Sequence, residues 1–257
     1  MATGKKVLIT GATSGIGLRT AVMLAQRGAL PILTGRSADK LRAATEAVAG
    51  AHAAYVLDVT DSEQVAETME RVRAEHGVPD VLVNNAGFGW FEAAVDAPLA
   101  HYEAMMDTNY MGMVRCTKAL LPHMLARGGG QILTVASIAG KLGTPKSTGY
   151  SATKHAVLGF ANALRLELAG TGVAVSVVNP GPIDTPFFEQ ADPDGSYVAN
   201  VRWFMMSPER VAGTIVRVIE RPRAEVNLPR MAAAGAKLYQ LFPRLADRVA
   251  GRWLNQK

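Results

Sequence analysis

Apolar residues fall into two periods along this chain. Uninterrupted runs such as Val7-Leu8-Ile9, Val81-Leu82-Val83 and Val173–Val178 read as strands covered on both faces. Between them, apolar positions recur every three or four residues, as in helices with one buried stripe. In chain order the pattern predicts strand Lys6–Thr10 with a helix to about Arg27, then strand Leu30–Thr34 with helix Ala38–Val48. Strand Ala53–Leu57 with helix Ser62–His76 follows, then strand Asp80–Val83 and helical segments across Ala100–Arg127. Strand Gln131–Ala136, helix Gly149–Ala169 and strand Val173–Val178 come next. Strands alternating with helices imply right-handed crossovers and a parallel sheet. The expected fold class is therefore α/β, a doubly wound parallel sheet in a single domain.

The pattern changes near the end. Glu225–Leu228 reads as a last strand, yet 29 residues follow it. Leu238, Leu241, Phe242, Leu245, Val249 and Trp253 recur at helical spacing, while Arg244, Arg248 and Arg252 form a second stripe. That predicts an extra amphipathic, basic helical tail, interrupted or restarted at Pro243. The expected organisation is a catalytic domain over 1–230, with a lid at about 186–208, and a tail over 231–257.

Composition narrows the class. Of 257 residues, 49% are hydrophobic and 19% charged, which excludes a disordered chain. Cys116 stands alone and cannot form an internal disulfide, consistent with a reducing compartment. No secretory h-region precedes the first strand, and no run of about 18 apolar residues marks a membrane span. A cytoplasmic protein is expected. The net charge of +5 is uneven: from Arg221 to Lys257 there are eight basic and two acidic residues, a net of +6, leaving −1 for the body. Nothing in this distribution demands a nucleic-acid partner, and no metal-ligand spacing stands out.

Candidate chemistry gathers where strands end. Thr10-Gly11-Ala12-Thr13-Ser14-Gly15-Ile16-Gly17 joins the first strand to the first helix. Glycines there allow a tight turn and let a pyrophosphate approach backbone N–H groups at a helix N-terminus; a ligand-free turn is the plainer alternative. After the second strand, Gly35-Arg36 supplies a cation where an NAD-preferring fold carries a carboxylate, which favours a 2′-phosphate over a merely solvated arginine. Asp58-Val59 and Asn84-Asn85-Ala86-Gly87 close the third and fourth strands, although Asp58 would also serve as the cap of the helix near Ser62. Ser137 follows the fifth strand. Tyr150 and Lys154 share a helix face, where a lysine ammonium would favour the phenolate of a group whose pKa is ordinarily about 10.

Taken in order, these residues resemble the classical short-chain dehydrogenase/reductases. The likeness spans about residues 5–190 and rests on TGATSGIG at 10–17, NNAG at 84–87, Asn109, Ser137, the Tyr150-x-x-x-Lys154 pair, and Asn179-Pro180-Gly181 with Thr185. The resemblance implies a Rossmann-type fold, a nicotinamide dinucleotide and hydride transfer at a carbonyl carbon. It implies that Tyr150 exchanges the proton, Lys154 lowers its pKa and holds the nicotinamide ribose, Ser137 bonds the substrate oxygen, and Asn109 holds a relay water. Cofactor contacts are implied at Gly11, Ser14, Gly15, Ile16, Gly17, Arg36, Asp58, Val59, Asn85, Ala86, Gly87, Tyr150, Lys154, Pro180, Gly181, Ile183 and Thr185. NADP(H) is the cofactor expected. That preference rests mainly on Arg36, because the position where NADP-dependent members often carry a second basic residue is Ser14.

The segment after Pro180-Gly181 reads as a lid. Phe187, Phe188, Tyr197, Trp203, Phe204, Met205 and Met206, with Phe88, Trp90 and Phe91, predict a pocket for a hydrophobic carbonyl compound or alcohol. Glu189, Asp192, Asp194 and Arg202 read as solvated. A 3-oxoacyl thioester reductase of the same family is the alternative, disfavoured by the long tail. A non-catalytic NADPH-binding sensor is another, disfavoured by the complete Asn109, Ser137, Tyr150 and Lys154 set. The resemblance also implies a homodimer or homotetramer paired through helices around 100–127 and 149–169. The basic tail would pack on its own domain, on a sister subunit, or on an anionic membrane surface.

Overall fold

The structure is a computed structural model, and residues 1–242 are described. Seven strands form one parallel sheet in the order β3-β2-β1-β4-β5-β6-β7. They are β1 (Lys6–Ile9), β2 (Leu30–Gly35), β3 (Ala53–Val56), β4 (Val81–Asn84), β5 (Gly130–Val135), β6 (Val173–Pro180) and β7 (Glu225–Leu228). The order reverses at β1. The chain first winds outward through β2 and β3, then returns to place β4 on the other side of β1 and continues to β7. This is the doubly wound Rossmann topology, and the crevice between the ends of β1 and β4 is its ligand position.

Side-chain alternation along each strand divides the core in two. Val7, Ile9, Leu33, Val83, Leu133 and Val178 face one layer of helices, α1 (Gly15–Ala25), α2 (Ala38–Glu46) and α9 (Pro208–Glu220). Leu8, Ile32, Leu82, Ile132 and Val177 face the other, α3 (Ser62–His76), α5 (Gly112–Arg127) and α6 (Thr148–Glu167). The continuous apolar runs of the central strands are thus explained, since both of their faces are covered, while the edge strands β3 and β7 keep exposed positions at Ala54, Val56 and Glu225.

Two local departures matter. The predicted helix across 100–127 is divided into α4 (Leu99–Met106), one wide π-helical turn at Asp107–Met111, and α5. Such turns insert one extra residue into the helical ladder, and Asn109 sits within this one. The cap of α3 is Asp61, whose carboxylate accepts the N–H groups of Glu63 and Gln64 at 3.0 Å, not Asp58.

Segment 186–208 folds as α7 (Phe187–Ala191), α8 (Ser196–Val201) and a tight turn at Arg202–Phe204. Asp192 is not solvated as expected. It is 6% exposed and accepts the N–H groups of Tyr197 and Val198 at 3.1 and 2.8 Å, starting α8. After β7, α10 (Arg230–Leu241) packs along that strand and the turn Ile138–Gly140, with Gln240 donating to the Lys141 carbonyl at 3.2 Å. Its inward anchor is Ala236, 1% exposed, whereas Leu238, Leu241 and Phe242 of the expected apolar stripe are 60%, 72% and 55% exposed. The remainder of that stripe, Leu245, Val249 and Trp253, and the arginine stripe lie outside the described residues. Among the described residues no helix is long and apolar enough to cross a membrane.

Candidate active site

The carboxyl ends of β1, β2, β4, β5 and β6 open into one cavity of about 960 Å³, at the upper end of the roughly 300–1,000 Å³ of small-molecule sites. At its base is the glycine turn. Gly11 holds φ +64°, and a Cβ there would stand 2.8 Å from the Ala86 Cα. A Cβ on Gly17 would run into the Gly11 carbonyl and the Asn85 amide. These missing carbons let the turn and the 84–87 loop lie against each other. Thr10 locks them: its hydroxyl accepts the N–H groups of Asn85 and Ala86, both at 3.0 Å, while Asn85 Nδ2 donates to the carbonyls of Thr10 and Gly11. The helix that follows, α1, has no side-chain cap and no acidic residue in its first turn. A helix start left this way is an anion site, so the residues present fit a dinucleotide pyrophosphate.

Most expected cofactor residues share this cavity: Gly11, Ser14, Gly15, Ile16, Arg36, Val59, Asn85, Ala86, Gly87, Pro180, Gly181, Ile183 and Thr185 line it. Gly17 supports the turn from behind. Asp58 is not part of the lining. Its Oδ1 serves its own turn, accepting the N–H and hydroxyl of Thr60 at 2.9 and 2.7 Å. The structure adds Lys40, which lines the cavity with Arg36. Ser37, between them, caps α2 by accepting the Lys40 N–H at 3.3 Å. Lys40 thus stands as a second cation beside Arg36 in the lining.

Toward the other end, Ser137, Tyr150 and Lys154 converge. Ser137 starts the Ile138–Gly140 turn: its Oγ accepts the Ala139 N–H at 3.0 Å and donates to the Pro180 carbonyl at 3.3 Å. That turn is pressed onto α6, because a Cβ on Gly140 would lie 2.6 Å from the Lys154 carbonyl oxygen. The approach brings Ser137 into hydrogen-bond contact with Tyr150. Lys154 Nζ lies 5.6 Å from the Tyr150 ring centroid and donates to the Val135 carbonyl at 3.2 Å. Burial drives both pKa values toward the neutral forms. The Lys154 ammonium falls from 10.5 to about 8, with no opposite charge to offset its desolvation. The Tyr150 phenol rises well above 10, although the Ser137 hydrogen bond pulls the other way. Desolvation is thus the larger influence on Tyr150, with the Ser137 hydrogen bond opposing it.

Asn109 stands behind this group, 3% exposed. Its Oδ1 accepts the Phe88 N–H at 2.9 Å, and its Nδ2 donates to the Phe88 carbonyl and to Thr153 Oγ1 at 2.8 and 3.1 Å. Thr153 in turn donates to the Tyr150 carbonyl at 2.8 Å. The amide is a strut between the 84–88 loop and α6. One lone pair of Oδ1 remains, and it faces the space left by Gly87: a Cβ there would be 3.0 Å from Asn109 Oδ1 and 3.6 Å from Lys154 Nζ.

Above Tyr150 the walls are aromatic. Phe91 lies 5.8 Å from Tyr150, 6.2 Å from Phe187, 6.1 Å from Phe188 and 4.7 Å from Tyr197 between ring centroids. Its N–H donates to the Ala191 carbonyl at 2.8 Å, tying this loop to the lid. Phe88, Trp203 and Phe204 also line the cavity. Three residues expected there do not. Trp90 instead stacks on His101, at 3.9 Å and 18°. Met206 is 3% exposed and pairs its backbone with Ile183, and Met205 follows the Arg202–Phe204 turn away from the lining.

Comparison with known proteins agrees with this arrangement. The family model described as short chain dehydrogenase matches residues 5–195. The chain belongs to that family. Its members are oxidoreductases that work with a nicotinamide cofactor. An uncharacterized oxidoreductase, YxnA of Bacillus subtilis, is 36% identical over 95% of this chain and 70% of its own length. The 3-oxoacyl-[acyl-carrier-protein] reductase FabG of Thermotoga maritima is 38% identical over 73% and 77%. Among solved structures, a serine dehydrogenase complexed with NADP+ superposes with a TM-score of 0.82 at 31% identity, covering 87% of this chain and 94% of that one. A short chain dehydrogenase/reductase from Burkholderia phymatum in complex with NAD gives 0.86 at 25% identity, covering 95% of each chain.

Proposed function

We propose that this short-chain dehydrogenase is an NADPH-dependent reductase of hydrophobic carbonyl compounds, with Tyr150 as the proton donor. The observation that carries the reading is a single cavity with Arg36 and Lys40 at one end and the Ser137–Tyr150–Lys154 group under aromatic walls at the other.

Gly11, Ser14, Gly15 and Ile16 would hold the pyrophosphate, Arg36 and Lys40 the 2′-phosphate. Val59 would border the adenine, Asn85, Ala86 and Gly87 the riboses, and Pro180, Gly181, Ile183 and Thr185 the carboxamide. The bound dinucleotide supplies a hydride to the carbonyl carbon. Solved relatives hold both NADP+ and NAD, so the preference for NADPH rests on the paired cations and on the absence of a carboxylate at the end of β2.

The rest is done by the chain. Ser137 and Tyr150 hold the substrate oxygen by hydrogen bonds. Burial keeps the Tyr150 phenol protonated at neutral pH, the state a general acid needs for reduction. Tyr150 passes its proton to the oxygen as negative charge develops there, and the nearby Lys154 ammonium stabilises the resulting phenolate. The gap at Gly87 between Asn109 and Lys154 is polar on both sides and suits one water, which would return a proton to Tyr150. We further propose a homodimer or homotetramer, because Met111 on the turn before α5, Leu125 on α5 and Leu166 on α6 are 39%, 39% and 69% exposed.

Replacing Tyr150 with phenylalanine tests the assignment. Turnover of apolar ketones should fall at least about a thousandfold while NADPH still binds. A variant that retains turnover removes Tyr150 from the chemistry. A wild-type protein that binds NADPH and reduces no carbonyl compound favours the sensor alternative.

A further inference from the structure

The cavity that holds Tyr150 is lined by Phe187 and Phe188 of α7, by Trp203 and Phe204 of the lid, and by Gly235 and Ala236 of α10. Ala236 seats the helix on the domain, 1% exposed. Gly235, one position earlier, leaves a gap: a Cβ built on it meets nothing within 4 Å. Met231, Leu238 and Phe242 fall at helical spacing from Gly235 and are 86%, 60% and 55% exposed, so the rim beyond the gap is apolar. Phe187 and Phe188 lie on α7, directly after the turn that carries Thr185. Tyr150, α7, the lid turn and α10 therefore border one cavity, within which a molecule reacting at Tyr150 can extend toward α10.

Charge restricts what can extend there. Among the described residues, the lining cations are Arg36 and Lys40, at the β2 end, and Lys154, behind Tyr150; the substrate half contributes Glu189 as its formal charge. Among the described residues that line the cavity, a carboxylate or phosphate on the outer part of the substrate would find no cation to pair it and would meet a carboxylate instead.

We infer that the substrate is an uncharged, elongated apolar carbonyl compound, or the corresponding alcohol. Its far end lies between the Trp203–Phe204 turn and α10, and Gly235 sets the length accepted. The identity of the reacting group rests on the function proposed above. The cavity, its charge and its outer wall do not.

The test uses the full chain with NADPH and methyl n-alkyl ketones of increasing length, beside keto acids in which a carboxylate replaces the terminal methyl group. In the wild type, kcat/KM should rise about fourfold for each added methylene until the tail passes α10. Gly235→Phe should end that rise at a shorter ketone and lower the long-to-short ratio at least about tenfold, with Gly235→Leu between the two. Each keto acid should fall at least about tenfold below its matched ketone. Calorimetric titration of the longest ketone into each protein gives a second readout that needs no turnover. Binding that Gly235→Phe weakens about tenfold, without turnover in any protein, supports the outer wall and removes the catalytic reading. Turnover with the same length profile in wild type and Gly235→Phe overturns the role of α10. Keto acids that match their ketones overturn the charge class.

Discussion

Replacing Lys154 with methionine separates the two consequences of burying an ammonium. The residue is 6% exposed, and the acceptor of its Nζ is the Val135 carbonyl at 3.2 Å. Its pKa accordingly falls from 10.5 to about 8 through desolvation. Between those values the unfolded chain holds more protons than the folded one, so stability rises with pH. The penalty is full below about pH 8 and gone above pH 10.5. A fall of about 2.5 at ~1.36 kcal/mol per pH unit is about 3 kcal/mol at pH 7, shrinking to about 1.4 kcal/mol at pH 9.5. Methionine has similar length and no charge. Cofactor-free Lys154→Met should thus be more stable than wild type at pH 7, by up to about 3 kcal/mol less ~1 kcal/mol for the lost hydrogen bond. That advantage should shrink by about 2 kcal/mol at pH 9.5, while activity is lost at both. Urea unfolding of the two proteins at the two pH values reads the difference. An advantage independent of pH, or a variant less stable at pH 7, would refute the argument from buried charge.

Further outcomes follow from the same geometry. Substituting Arg36 with serine or Lys40 with alanine, one at a time, should raise the KM for NADPH by about tenfold to a hundredfold each, at ~1.5–3 kcal/mol per charged hydrogen bond, with little change for NADH; steady-state kinetics decides this. Thr153→Val removes the hydroxyl shared by Asn109 and the Tyr150 carbonyl. It should cost about 1–2 kcal/mol in urea unfolding and lower kcat, with Thr153→Ser restoring both. For carbonyl reduction, kcat/KM should decline as pH rises through about 8, because the protonated Lys154 is the form that supports Tyr150; a flat profile to pH 10 counts against that pairing.

Much of the fold was legible because the central strands are buried on both faces and the long helices flanking them on one, so the two apolar periods are distinct there. The order of Gly11, Asn85, Ser137, Tyr150 and Lys154 was legible for a related reason: each closes a strand or opens a helix at the same sheet edge. What escaped depended on contacts between distant segments. Lys40 resembles any surface lysine until Ser37 starts α2 beside Arg36. Thr10 ends a strand unremarkably, yet its hydroxyl binds two backbone N–H groups of the 84–87 loop. Trp90 and Met206 read as pocket residues by hydrophobicity, but His101 and the core claim them. Asp192 reads as a solvated acid and is instead a buried helix start. Asp58 reads as a cap for α3, but its carboxylate serves the turn at Thr60 and Asp61 caps the helix instead. The amphipathic stripe of α10 predicted an inward apolar face, whereas the helix docks through Ala236 and leaves Leu238 and Leu241 in solvent.

Initial rates with NADPH and with NADH, against matched aliphatic and aromatic ketones, test the central claim most directly. The account predicts that NADPH is the better cofactor by at least about tenfold in kcat/KM on uncharged apolar ketones, in keeping with two charged contacts to one phosphate. Faster turnover with NADH, or turnover confined to carboxylate-bearing substrates, would contradict it.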